Sequence, residues 1–136
     1  MGSFMSKYSS RCYALLRIVA GFLFLWYGSQ KLFAFPIGMP AGVPAFITYG
    51  AGSIELVGGI LVMIGLFTHW AAFITSGQMA FAYWMGHGTK ALLPIQNNGE
   101  LAALYCFVFL FIAAQGGGIW SVDSLMSGGS GKVPDR

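Results

Sequence analysis

The chain has 136 residues, of which 57% are hydrophobic and only 8% are charged, and its mean hydropathy is +0.71. Because a water-soluble domain usually carries about 25% charged residues, this composition excludes an ordinary soluble protein and predicts an integral membrane protein. The net charge of +3 is small and the basic residues are scattered, so nucleic-acid binding has no support.

Four apolar segments are predicted to cross the lipid bilayer as helices, at about residues 13–35, 46–67, 70–86 and 99–115. The connections between them have loop chemistry: "PIGMPAGVP" is rich in proline and glycine, and "GHGTKALLPIQNNG" is polar. We therefore predict an all-α, integral membrane four-helix bundle over residues 13–126. It follows an N-terminal cytoplasmic segment, residues 1–12, and precedes a flexible C-terminal tail, residues 127–136.

Lysine and arginine residues near the ends of the spans predict the orientation. The side with both termini carries Lys7, Arg11, Arg17, Lys132 and Arg136. The opposite side carries only Lys31 and Lys90. Because basic residues favour the cytoplasmic side, both termini are predicted to be cytoplasmic.

Helical spacing predicts which faces of the first two helices point inward. The stripe on the first helix consists of Arg17, Gly21, Phe24, Gly28 and Lys31. The comparable stripe on the second helix consists of Gly52, Glu55, Gly59 and Val62. Glycines on such a stripe let a neighbouring helix approach closely. At the cytoplasmic ends, Arg17 and Asp123 are candidates for a structural ion pair.

Seven functional candidates fall in the outer half of the predicted bundle: Gln30, Lys31, Glu55, Trp84, His87, Asn98 and Glu100. A lone carboxylate at the depth of Glu55 is costly in lipid, so it needs a partner or a proton. We expect Lys31 to face Glu55 or Glu100. Two structural alternatives stay open, since Lys31 could extend to the interface and Glu100 could cap the fourth helix. Gln78, in the third span, is more typical of an interhelical hydrogen bond than of a ligand contact.

Three segments resemble the DoxX family. "LRIVAGFLFLWYGSQKLFAF" is similar to its first helix, "IELVGGILVMIGLFTHWAA" to its second, and "GELAALYCFVFLFIAAQGGGIWSVDSL" to its fourth helix and closing signature. By position, the family's polar and glycine residues correspond to Arg17, Gly28, Lys31, Glu55, Gly59, Glu100, Gly118 and Asp123. The resemblance implies a small multi-pass protein of the bacterial cytoplasmic (inner) membrane. It also implies a relationship to the small subunit of a thiosulfate:quinone oxidoreductase.

The first functional hypothesis is therefore a quinone-linked oxidoreductase subunit, with ubiquinone or menaquinone as the cofactor. Lys31, Glu55 and Glu100 are the catalytic candidates, because a quinone site needs hydrogen-bond donors and a proton path. Gln30, Trp84, His87 and Asn98 are the cofactor-binding candidates. No metal, heme or flavin is expected from the residue patterns, so electrons would come from a redox partner protein.

Two alternatives belong to other functional classes. The chain could be a structural or assembly subunit of a membrane complex, in which the polar residues only hold helices together. It could also act in proton-coupled transport of a small molecule, which would require a homo-oligomer because four helices are few for a transporter.

Overall fold

The computed structural model describes residues 4–38 and 42–127, and these residues form helices and connecting segments without a strand. The helices are α1 (Ser9–Phe33), α2 (Gly52–Ile64), α3 (Thr68–Tyr83), α4 (Pro94–Asn97), α5 (Glu100–Gln115) and α6 (Val122–Met126). A 3₁₀ turn, Ser6–Tyr8, precedes α1, and π-helical segments Ile47–Ala51 and Trp84–Gly88 extend α2 and α3. The all-α prediction is confirmed. The predicted tail lies outside the described residues except for Ser127.

The four longer helices alternate in direction, so the molecule has two ends. α1 packs against α2, α2 against α3, and α3 against α5. The end where α1 and α3 begin and α2 and α5 finish is called the Arg17 end. The end where α1 and α3 finish and α2 and α5 begin is called the Lys31 end.

Glycines let the backbones of α1 and α2 touch. A Cβ atom added to Gly21 would lie 2.5 Å from the amide nitrogen of Met63, and one added to Gly28 would lie 2.3 Å from that of Leu56. A Cβ on Gly59 would meet the α1 backbone 2.8 Å away. The predicted inward stripes are confirmed, since every member is buried except Lys31, which is partly buried.

Aromatic and aliphatic side chains fill the space between the helices. Phe24 of α1 is fully buried and lies 4.8 Å from Phe109 of α5, measured between ring centroids. Tyr105 stacks on Phe109 at 5.6 Å. The Ser76 hydroxyl of α3 donates a 2.7 Å hydrogen bond to the carbonyl oxygen of Cys106, which links α3 to α5. These contacts fix the position of α5 relative to the other helices.

A buried arginine holds the Arg17 end together. Arg17 is 0% exposed and donates to the carbonyl oxygens of Val62 and Met63, at 2.9 and 2.8 Å, where α2 finishes. It also donates to Ile119 and Trp120 of the segment after α5. These carbonyls carry the partial negative charge of a helix terminus and a turn, which suits a guanidinium.

The candidate ion pair between Arg17 and Asp123 is not formed. The Asp123 carboxylate instead accepts hydrogen bonds from the amides of Phe67 and Thr68 and from the Thr68 hydroxyl, at 2.7–2.9 Å. These are the unpaired donors at the start of α3, which attract a carboxylate. Burial alone would raise the pKa of Asp123, but these hydrogen bonds, with help from His69, bring the pKa below its usual value.

Two helical segments of the described chain are long and apolar enough to cross a membrane. They are Ser6–Phe33, with 28 residues, and Ile47–Ile64, with 18 residues. α5 is apolar but shorter. Large apolar side chains such as Leu23 and Phe107 are exposed on the outer surface. An exposed apolar surface of this kind is typical of a protein that contacts lipid or another protein.

Replacement of Gly28 by Ala should separate α1 from α2, because its Cβ would overlap the backbone of Leu56. We expect Gly28→Ala to lower the free energy of unfolding by about 3 kcal/mol, as for other overpacked sites. Gly77→Ala is the matched control, because a Cβ there meets nothing within 4 Å. Thermal unfolding in mild detergent measures both. An equal stability for the two variants would show that the α1–α2 contact is not as close as described.

Candidate functional site

A cavity of about 440 Å³ lies at the Lys31 end, between α1, α2, α3 and the start of α5. Most of its wall is apolar. The polar side chains on the wall are Lys31, Glu55, Gln78, His87 and Asn98, with the hydroxyl-bearing rings of Tyr27 and Tyr105. A volume of this size and a wall with few polar groups are typical of small-molecule sites.

The charged centre of the wall is an ion pair between α1 and α2. Lys31 Nζ lies 2.8 Å from Glu55 Oε2, and the two side chains are 14% and 3% exposed. Gln78 of α3 donates from Nε2 to Glu55 Oε1 at 3.1 Å. Both carboxylate oxygens therefore have a partner. The ammonium of Lys31 uses one of its three donors on Glu55, which leaves donors for a ligand.

One buried atom of this group has no hydrogen-bond partner. Gln78 Oε1 is removed from solvent and accepts no hydrogen bond from the described residues. The orientation of the amide follows from Glu55, because a carboxylate only accepts and so must face the amide nitrogen. Gln78 Oε1 is therefore a free acceptor on a residue of the cavity wall.

His87 and Asn98 border the cavity on the side of the segment between α3 and α5. His87 Nδ1 lies 3.0 Å from the carbonyl oxygen of Asn97. A carbonyl oxygen only accepts, so Nδ1 carries the proton and a neutral ring presents Nε2 as an acceptor. The side chain of Asn97 donates to the Tyr83 hydroxyl and the Ala91 carbonyl, which holds this segment in place.

Both π-helical segments border the cavity. Ile47 and Ala51 come from the first segment, and Gly86 and His87 from the second. π-helical turns are rare and often lie at functional sites. Here the wider turns stand where α2 begins and where α3 finishes, on the wall of the cavity that the ion pair also lines.

A smaller cavity of about 250 Å³ lies between α2 and α3 and adjoins the first. Ile47, Ala51, Gln78 and Phe81 are on the walls of both. The rest of the smaller wall is apolar. The two cavities are therefore neighbours that share these four wall residues.

Three of the predicted site residues do not line the main cavity. Gln30 donates to the carbonyl oxygen of Gly38 at 3.1 Å. Trp84 is 65% exposed and packs edge-on against Tyr83. Glu100 is exposed at the first turn of α5, and the ion-pair partner of Lys31 is Glu55. Lys31, Glu55, His87 and Asn98 are brought together on the wall.

The sequence prediction left Gln78 out of the site. Its interhelical hydrogen bond to Glu55 is present, as expected from the sequence, but its second polar atom faces no partner. The sequence did contain a signal for Gln78, since a side-chain amide in the middle of an apolar segment is uncommon. Tyr27 and Tyr105 were also missed, because tyrosines near helix ends look like ordinary interfacial residues.

Comparisons with known proteins give the family. The family model described as DoxX matches residues 12–88. This chain belongs to the DoxX family. The resemblance inferred from the sequence is thereby confirmed. No solved structure matches the chain.

Two relatives align with most of the chain. An uncharacterized protein of Haemophilus influenzae is 41% identical over 126 residues, which cover 88% of this chain and 94% of that protein. A protein of Bacillus subtilis named "Putative oxidoreductase CatD" is 27% identical over 117 residues, which cover 80% of this chain and 82% of that protein. The DoxX family is membrane-associated, in agreement with the two long apolar helical segments.

The Lys31–Glu55 pair should show strong energetic coupling. Lys31→Met or Glu55→Gln alone leaves the other partner buried without its counter-charge, which costs about 3 kcal/mol of unfolding free energy. The double variant removes both groups and should cost clearly less than the sum of the two. Denaturant or thermal unfolding of the four proteins in detergent gives the coupling. Additive losses would mean that the pair contributes nothing as a pair.

Proposed function

We propose that the chain is a quinone-binding subunit of a membrane oxidoreductase and that the main cavity receives the quinone head group. The observation that supports this proposal is the combination of an apolar cavity with one hydrogen-bonded charged centre, Lys31–Glu55–Gln78. A quinone head group is a flat apolar ring with two carbonyl oxygens, so it suits a wall of this kind.

The residues have distinct roles in this proposal. A quinone accepts two electrons and two protons to become a hydroquinone, and the electrons come from a redox partner protein. Lys31 uses a free N–H to bind a carbonyl oxygen of the head group. Glu55 lies 2.8 Å from Lys31, so the pair can pass a proton towards the bound oxygen.

The smaller cavity suits the apolar tail of a membrane quinone. It shares Gln78 with the wall of the main cavity, lies between α2 and α3, and is lined by apolar residues such as Ile54 and Ile74. A ligand with its head at Lys31 could thus keep its tail in contact with lipid. The Bacillus subtilis relative is named a putative oxidoreductase, and an oxidoreductase subunit is what we propose for this chain.

The membrane arrangement is part of the same proposal. We propose that the chain is a multi-pass protein of the bacterial cytoplasmic membrane, with α1, α2, α3 and α5 as four spans. Arg17 would then lie at the cytoplasmic end and the Lys31–Glu55 centre in the outer half. The distribution of basic residues supports this orientation.

Protein purified gently from its native membrane should carry a quinone that mass spectrometry of the extract identifies. Lys31→Met and Glu55→Gln should each lose most of it, whereas Lys90→Met should retain it because Lys90 is exposed and does not line the cavity. The double variant Lys31→Met/Glu55→Gln matters most, since it restores charge balance. If the double variant folds but carries no quinone, the loss of quinone is due to the missing side chains and not to unfolding.

The same measurement of bound quinone distinguishes the role of Glu55 from that of Glu100. Glu100→Gln should keep the quinone, because Glu100 lies at the exposed start of α5 and not on the cavity wall. If all variants contain only bulk phospholipid in equal amounts, the proposal fails and the polar centre is structural.

The orientation predicts which positions an impermeant thiol reagent reaches in intact cells. In a background with Cys12→Ser and Cys106→Ser, Lys90→Cys should be labelled from outside. Lys7→Cys should be labelled only after the cells are opened. Labelling of both positions from outside, or of Lys7→Cys alone, would contradict the proposed topology.

A further inference from the structure

We infer that Tyr105 is a second binding residue for the head group, and that its hydroxyl donates to the carbonyl oxygen opposite the one held by Lys31. This inference rests on the proposed function, in which Lys31 binds one of the two carbonyl oxygens and the other has no partner. The observation that carries it is an unpaired hydroxyl group with accessible surface, on a buried residue of the cavity wall.

The Tyr105 hydroxyl is both unpaired and accessible. It makes no hydrogen bond with any residue that the structure describes. Within the same part of the chain, two buried side-chain atoms are unpaired and have no accessible surface, Arg17 Nε and Gln78 Oε1. The Tyr105 hydroxyl is not one of them, although the residue as a whole is only 8% exposed. The hydroxyl therefore keeps accessible surface, and a bound molecule can reach it.

The direction of the side chain places this hydroxyl at the main cavity. The Tyr105 ring is buried by Phe109, on which it stacks, and by Phe24, whose ring centroid is 5.4 Å away. In an α-helix a side chain leans over the turn that precedes it. For Tyr105 that turn contains Leu101 and Ala102, which line the cavity as Tyr105 does. The hydroxyl therefore faces the end of the bundle where α5 begins and where the cavity lies.

Tyr27 brings the two proposed head-group contacts close together. Lys31 Nζ lies 5.8 Å from the centroid of the Tyr27 ring. The centroid of the Tyr105 ring lies 6.3 Å from the same point, with the two rings nearly perpendicular. Lys31 and Tyr105 are thus neighbours of one ring on one cavity wall. A para-quinone has its two carbonyl oxygens on opposite sides of a single ring, so it suits two donors that are near each other but not in contact.

The chemistry of the wall favours Tyr105 as the second donor. A quinone carbonyl oxygen only accepts, so its partner must donate. The ionised Glu55 carboxylate and Nε2 of the neutral His87 ring only accept. The Gln78 amide nitrogen already donates to Glu55. Asn98 has an amide donor, but this residue is exposed, whereas the buried Tyr105 ring is already fixed and loses little freedom when a ligand binds.

Binding of decylubiquinone to the full-length protein in lipid nanodiscs provides the first test. Tyr105→Phe keeps the ring and removes the hydroxyl, so it should weaken binding by about three- to tenfold, the effect of one net hydrogen bond. Tyr49→Phe is the matched control, because Tyr49 is exposed and does not line the cavity. This control should bind the probe as tightly as the wild-type protein.

Infrared spectra of the bound probe give a readout that a purely structural role of Tyr105 would not change. A hydrogen bond lowers the stretching frequency of a carbonyl group, and isotopic labelling of one carbonyl carbon at a time assigns the two bands. In the wild-type protein both bands should lie below those of the free probe in an apolar solvent. In Tyr105→Phe one band should return to the free position, while the band of the carbonyl bound to Lys31 stays shifted.

Asn98→Gly tests the competing donor, because glycine removes the amide and tolerates the positive φ of this position. Both bands should stay shifted in this variant, and this result decides the assignment even if Tyr105→Phe does not fold. Loss of the second shifted band in Asn98→Gly overturns the inference.

Two further results overturn the inference and leave the proposed function intact. One is equal binding of the probe by Tyr105→Phe and the wild-type protein. The other is a single shifted carbonyl band in the wild-type protein. Failure of the wild-type protein to bind decylubiquinone at all overturns the proposed function itself.

Discussion

The close contact of α1 and α2 determines the geometry of the whole molecule. At Gly21, Gly28 and Gly59 the two backbones touch, and no side chain larger than hydrogen fits between them. Small residues at such crossings allow dense packing and close electrostatic contact between helices. Because the helices approach this closely, Lys31 reaches Glu55 at one end and Arg17 reaches the final carbonyls of α2 at the other.

The two ends use charge in different ways. At the Arg17 end, a fully buried guanidinium binds backbone carbonyls and Asp123 binds backbone amides, so charged groups close the termini of helices. At the Lys31 end, the charged groups bind each other and a neutral amide, and open space lies next to them. The first arrangement is structural, and the second has the composition of a binding site.

The sequence predicted the fold better than the site, and particular residues show why. Helical periodicity located the buried faces of α1 and α2, because glycines and charged residues at steps of three and four along an apolar helix indicate a face packed against another helix. It could not choose between Glu55 and Glu100 as the partner of Lys31, since both lie at similar heights. That choice depends on which helix lies beside α1, and the glycine contact selects α2. Arg17 and Asp123 were wrongly paired for a related reason, because sequence patterns do not reveal unsatisfied backbone groups.

Gln78 illustrates how a hydrogen-bond inventory adds information to a contact map. Its bond to Glu55 accounts for the presence of an amide in α3, and a purely structural role would end there. A structural role, however, would favour a residue whose every polar atom is satisfied, because each unsatisfied atom reduces stability. Sequence, fold and family are compatible with a polar centre that only holds the helices together. The unpaired Gln78 oxygen and the apolar cavity beside the ion pair are two features that a purely structural centre would not need.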